Sequence, residues 1–158
     1  MNLQSFILGA SFLFVGFTLE HLPMPELLLW FQPLWILLVI TILVLNAPGL
    51  FGLWLAIPAG LMMDAEMGTL LGTHVFTFAV HIFLVQLLSR RFGVYNLVQQ
   101  AALVWLLALG HQVLRHWSNQ LIVEWPHPVQ LWMPPLASAL VWPWLYSIGQ
   151  LLMRRILA

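Results

Sequence analysis

Six apolar segments, about 3–22, 32–46, 49–63, 69–89, 95–116 and 131–153, follow one another along this chain of 158 residues. The connectors between them are "PMPELLLWFQ", "NAPG", "DAEMG", "RRFGV" and "WSNQLIVEWPHPVQ". None is long enough to hold a soluble domain. A helix that crosses the hydrocarbon core needs roughly 20 apolar residues. The second and third segments fall short of that and require tilt or deep packing, so a five-span reading stands beside the six-span one. The expected fold class is an all-α polytopic membrane protein with six transmembrane helices and a single integral membrane domain, 1–158. Composition agrees, because 6% of the residues are charged, where a soluble domain carries about 25%. A net charge of zero argues against nucleic acid as a partner. With no cysteine, disulfides and thiolate metal sites are excluded. The first apolar run has no basic stretch before it and no small-residue cleavage site after it, so an uncleaved first helix is expected.

Four of the five basic residues form the pairs Arg90-Arg91 and Arg154-Arg155. Two segments separate the pairs, so both fall on one face, and the positive-inside rule makes that face cytoplasmic. Both termini are then cytoplasmic, while Glu20, Glu26, Asp64, Glu66 and Glu124 face outward together with the lone Arg115. Trp30, Trp117, Trp125 and Trp132 flank the outer connectors, where amphipathic rings favour the headgroup layer.

The candidate chemistry is sparse. Asp64 and Glu66 read as an outer turn between the third and fourth segments. Asp64 is placed to cap the following helix, and Gly68 and Gly72 complete the turn. Asparagine also caps, so it is expected to replace Asp64 without loss. An acid–base or ion pair would need a positioned partner, and no arginine or lysine is near in sequence. His74 and His81, seven apart on one helical face, stand about 10 Å apart along the axis, too far to share one ion. They read as interior residues that hydrogen-bond across helices, with zinc or a proton relay as the sharper alternative. His111 and Arg115 form an i,i+4 pair, read as a polar ledge at the outer interface that meets Asp64 or Glu124. Gly52, Ala56 and Gly60 recur every four residues, a small-residue spacing that lets helices approach closely. Pro58 and Pro143 lie within segments and free the carbonyls of Trp54 and Ala139. Trp142 and Trp144 around Pro143 read as packing residues. No nucleophile elbow, phosphate loop or HExxH motif occurs; neither a cofactor, nor a metal, nor catalysis is expected.

The stretch "GLWLAIPAGLMMDAEMGTLLGTHVFTFAVHIFLVQLLSRRF" resembles the centre of the rod shape-determining protein family MreD, in which a Gly-rich third helix ends in Asp followed by Gly four and eight residues later. Here these are Asp64, Gly68 and Gly72, with His74 as the polar residue that follows. "LVWPWLYSIGQLLMRR" resembles the carboxyl terminus of the proteobacterial members, and "FQPLWILLVI" their second helix. Glu66 stands where the family usually has an apolar or small residue, and the amino terminus lacks the basic residues of many relatives.

The resemblance implies a multi-pass protein of the bacterial inner membrane, with a fold similar to the substrate-binding subunits of energy-coupling-factor transporters. It implies a non-catalytic scaffold of the elongation machinery that binds the transmembrane segment of MreC. Through MreC it would work with MreB, RodA and a class B penicillin-binding protein and couple the cytoskeleton to peptidoglycan synthesis, with membrane lipid as its surroundings. The alternative is a vitamin-binding transporter subunit. That class docks through an Ala-x-x-x-Ala face on the first helix, where this chain offers Ser5-x-x-x-Gly9. A third reading is an intramembrane enzyme or proton-linked carrier built on His74, His81 and Asp64.

Overall fold

A computed structural model describes residues 3–119 and 127–157. The elements in order are α1 (Leu3–Glu20), a 3₁₀ segment (Glu26–Phe31), α2 (Trp35–Asn46), a second 3₁₀ segment (Leu53–Leu55), α3 (Ala56–Met67), α4 (Thr73–Phe92), α5 (Leu97–Asn119) and α6 (Pro128–Leu157). No strand occurs among the described residues. Four stretches are long and apolar enough to cross a membrane: Glu26–Asn46, Thr73–Phe92, Leu97–Ser118 and Pro128–Arg155. Helix α1 contributes a shorter apolar run, Phe6–Glu20.

Helix α2 is the axis of the bundle. Ile36 to Val44 are all buried, and α2 packs against α1, α4 and α6. A helix that is apolar all round has no face to offer water and belongs in an interior. Its 12 residues measure about 18 Å, and the preceding 3₁₀ segment supplies the rest of the span. Around it α3 packs on α4, α4 on α5, and α5 on α6. Large apolar side chains such as Phe14, Leu87, Val98 and Leu140 are exposed on the outer faces, as a lipid solvent requires.

The third helix differs from the apolar segment that announces it. Pro48 and Gly49 hold the chain in a turn, with the Phe51 amide donating to the Ala47 carbonyl at 2.9 Å, so α3 begins only at Ala56. It then runs past Asp64, because Ala65, Glu66 and Met67 are helix formers. Gly68 stops it in the left-handed conformation, φ 61°. Asp64 and Glu66 are therefore the last helical turn rather than a connector. Pro58 falls in the first turn of α3, where a missing amide costs no intrahelical bond, and the Trp54 carbonyl is not free, because it accepts from the Ala56 amide. Helix α6 carries Pro134, Pro135 and Pro143 within it. The hydroxyls of Ser138 and Ser147 donate to the Pro134 and Pro143 carbonyls, each at 2.8 Å. Trp142 is buried, whereas Trp144 is exposed and faces outward instead of packing.

Candidate functional site

Asp64 is 1% exposed, and so is His74. The reversal from α3 to α4 passes through two glycines with positive φ, Gly68 at 61° and Gly72 at 101°, a region only glycine enters without a Cβ penalty. That reversal folds the α4 amino terminus back over Asp64. Asp64 Oδ1 accepts from Thr69 Oγ1 at 2.8 Å, from the His74 amide at 3.0 Å and from His74 Nδ1 at 2.7 Å. Oδ2 accepts from the Gly72 amide at 2.7 Å. Both oxygens thus serve as acceptors for amides that open α4 and have no intrahelical partner. Nδ1–H of His74 is committed to the carboxylate, so a neutral His74 presents Nε2 as an acceptor. Nε2 is buried without a partner among the described residues.

This arrangement changes what the sequence implies about substitution. Asparagine caps as well as aspartate where one oxygen suffices, but here two oxygens are used and a side-chain amide would set a donor against a donor. The partner missing near Asp64 in sequence is His74, ten residues on. Its signal was the pair of glycines between them, which mark a tight reversal.

The other interior polar groups follow a similar logic. His81 Nε2 lies 2.8 Å from Thr41 Oγ1, and that hydroxyl donates to the Leu37 carbonyl at 2.7 Å. A hydroxyl has one proton, so His81 donates to Thr41 and joins α4 to α2. His111 is buried in the bundle, its ring stacked on Phe78 at 5.1 Å and edge-on to His81 at 6.0 Å. His74 and His111 line a common cavity, and His81 and His111 touch, but His74 and His81 serve different bonds. Gln100 was not visible as a site residue. Its Nε2 donates to the Phe92 and Tyr95 carbonyls at 2.9 and 3.0 Å, and Trp142 Nε1 donates to its Oε1 at 3.3 Å.

At the end of the bundle that carries the α1 and α3 carboxyl termini, Glu20 Oε2 accepts from the Ile36 amide at 3.2 Å. This places a carboxylate at the α2 amino terminus, where the helix dipole favours negative charge. Gln32 Nε2 donates to the Glu20 carbonyl. His21, just beyond α1, pairs with Glu66 through Nε2. The bond from His21 Nδ1 to the Phe17 carbonyl and the neighbouring Glu66 raise its pKa above the usual 6.5. Glu66 is thus tied to α1. Arg115 is half-buried and makes no ion pair with Asp64. Glu124 and Trp125 lie outside the described residues. The expected outer ledge is instead turned inward: His111 is buried in the bundle, and Arg115 lies with it, Glu20 and His74 around a cavity of about 10 Å³.

The small residues divide in the same way. A Cβ on Gly60 would lie 2.4 Å from both N and Cα of Val75, so its closest neighbour is the α4 backbone. Gly52 precedes the helix in extended backbone (φ −161°) and faces Gln86 of α4. Ala56 and Gly60, four apart in α3, are both buried, whereas Gly52 lies before the helix, so only two of the three small residues share a helical face. Arg90 and Arg91 close α4, and Arg154 and Arg155 lie in the last turn of α6. Trp30, Trp117 and Trp132 are exposed at the opposite ends of their elements. Among the described residues no group of three or more His, Asp or Glu is placed to hold a metal ion.

Apolar outer faces, an all-helical bundle and polar groups turned inward define a polytopic membrane protein. The chain belongs to the family described as rod shape-determining protein MreD, whose model matches residues 2–154. It is thus a shape-determining membrane protein of the rod-shape system. No solved structure matches the chain.

Proposed function

We propose that the protein is a non-catalytic scaffold of the bacterial inner membrane that holds the transmembrane segment of MreC. Through MreC it links the MreB cytoskeleton to RodA and a class B penicillin-binding protein. The observation that carries this reading is the family match over 2–154 on a chain whose described residues lie almost entirely in bundle helices. Recognition of a partner then falls to helix faces and short connectors. Gly60 and Gly52 are occupied by α4, and Gly16 by Ile36 and Val39 of α2, so a partner helix meets larger exposed side chains. Lipid tails are as apolar as leucine, and shape complementarity with a few polar bonds must supply the preference for protein. The two arginine pairs support a cytoplasmic position for both termini.

The test replaces the MreC transmembrane segment with an unrelated helix and keeps its periplasmic domain. Capture in mild detergent and rod shape should both be lost. If both survive, recognition lies outside the membrane and intramembrane docking is wrong.

A further inference from the structure

The small cavity at the end of α1 is the floor of something larger. Glu20, Leu34 and Arg115 line both the cavity of about 10 Å³ and an open cleft of about 420 Å³ above it. The cleft is shared among α1, α3, α5, α6 and the linker that carries Gln32. Three buried polar atoms without a partner among the described residues belong to side chains of this one site: His74 Nε2, His111 Nδ1 and Gln112 Oε1. Beside them Arg115 makes no hydrogen bond or ion pair among the described residues. Unpaired buried polar groups cost free energy, and so many around one opening mark a place where a ligand completes the bonding.

We propose that this cleft binds an aminophospholipid, with its phosphate on Arg115 and its primary ammonium in the floor cavity. The chemistry of the walls selects the ligand. Nδ1–H of His74 is held by Asp64, which leaves Nε2 as an acceptor in the floor beside the Glu20 carboxylate, while Gln112 Oε1 adds an acceptor in the cleft above. The floor therefore takes a donor group, and its volume admits one the size of a water molecule, which an –NH₃⁺ matches. Arginine binds phosphate in a planar, two-pronged geometry. The cleft also has an apolar continuation. Leu29, Gln130 and Pro134 are shared with an adjoining groove of about 290 Å³, which continues past Trp30 into another of about 430 Å³. A charged end joined to an apolar limb on the outside of the bundle fits an amphiphile with a headgroup of both signs. The assignment is independent of any protein partner.

The test incorporates the purified full chain into phosphatidylglycerol nanodiscs that contain equal fractions of phosphatidylethanolamine and phosphatidylcholine, and reads retained lipid by native mass spectrometry. Choline has no N–H and is too bulky for the floor. Retention should favour phosphatidylethanolamine about tenfold, which corresponds to about 1.4 kcal/mol. Arg115→Gln and Glu20→Gln should each abolish the preference. Excess soluble phosphoethanolamine should fail to displace the lipid, because it cannot fill the apolar limb. Equal retention of the two lipids by the unaltered protein overturns the proposal whether or not the variants fold. Displacement by phosphoethanolamine at the lipid's own concentration overturns the assignment to a lipid.

Discussion

Replacing Asp64 by asparagine keeps the shape of the side chain but turns one acceptor oxygen into a donor. With the amide nitrogen at Oδ1, it would face Thr69 Oγ1, the His74 amide and His74 Nδ1. At Oδ2 it would face only the Gly72 amide, so this orientation costs less. Even there two N–H groups point at each other in a site closed to water, and the remaining bonds lose their charge assistance. Leaving one buried donor unsatisfied costs about 1–3 kcal/mol. For a chain of this size each kcal/mol lowers the midpoint by about 2–4 °C, so Asp64→Asn should melt on the order of 5 °C below the unaltered protein. Asp64→Leu orphans all four donors, each at a cost of about 1–3 kcal/mol when left unsatisfied, a fall on the order of 10 °C or more. The assay is thermal unfolding in mild detergent, followed by the fluorescence of the protein's own tryptophans. An Asp64→Asn midpoint within about 1 °C of the unaltered protein, well inside the expected shift, would refute the two-oxygen argument. So would a leucine variant no worse than asparagine.

Gly60→Ala should already lower the folded yield on detergent size exclusion, because its Cβ meets Val75 backbone at 2.4 Å and overpacking costs about 1–3 kcal/mol; normal yield would mean α4 yields easily. The folded-state pKa of His21 is raised above 6.5 by the Phe17 carbonyl and Glu66, with Glu20 adding to it. Its contribution to stability is therefore fully present below 6.5 and lost as pH rises through the higher folded value. His21→Gln should flatten the melting midpoint across that window, and an unchanged pH profile would remove the pair from the account. Reporter fusions after Gly93 and after the last residue should behave as cytoplasmic, and one before His127 as periplasmic; a periplasmic signal at the carboxyl terminus would overturn the orientation.

Composition and local spacing are enough to give the solvent and the class. So few charges and apolar runs of this length leave no route to a soluble fold, and the order of Asp64, Gly68, Gly72 and His74 carried the family. These are properties of composition and local spacing, which need no knowledge of what touches what. The reversal after α3 was legible too, because glycine is the residue that enters positive φ freely. The polar interior, by contrast, depends on how the helices pack. That Asp64 spends both oxygens on the α4 amino terminus, that Glu20 serves Ile36, and that His81 reaches Thr41 are meetings between elements up to 40 residues apart. Hydrophobic periodicity says little about them, since in lipid both the inward and the outward face of a helix are apolar. The same reason hid the difference between Trp142 and Trp144, and between a glycine that meets a neighbouring backbone and one that meets only a side chain. A polar side chain in such a chain announces that a partner exists; only the packing of the helices says which atom it is.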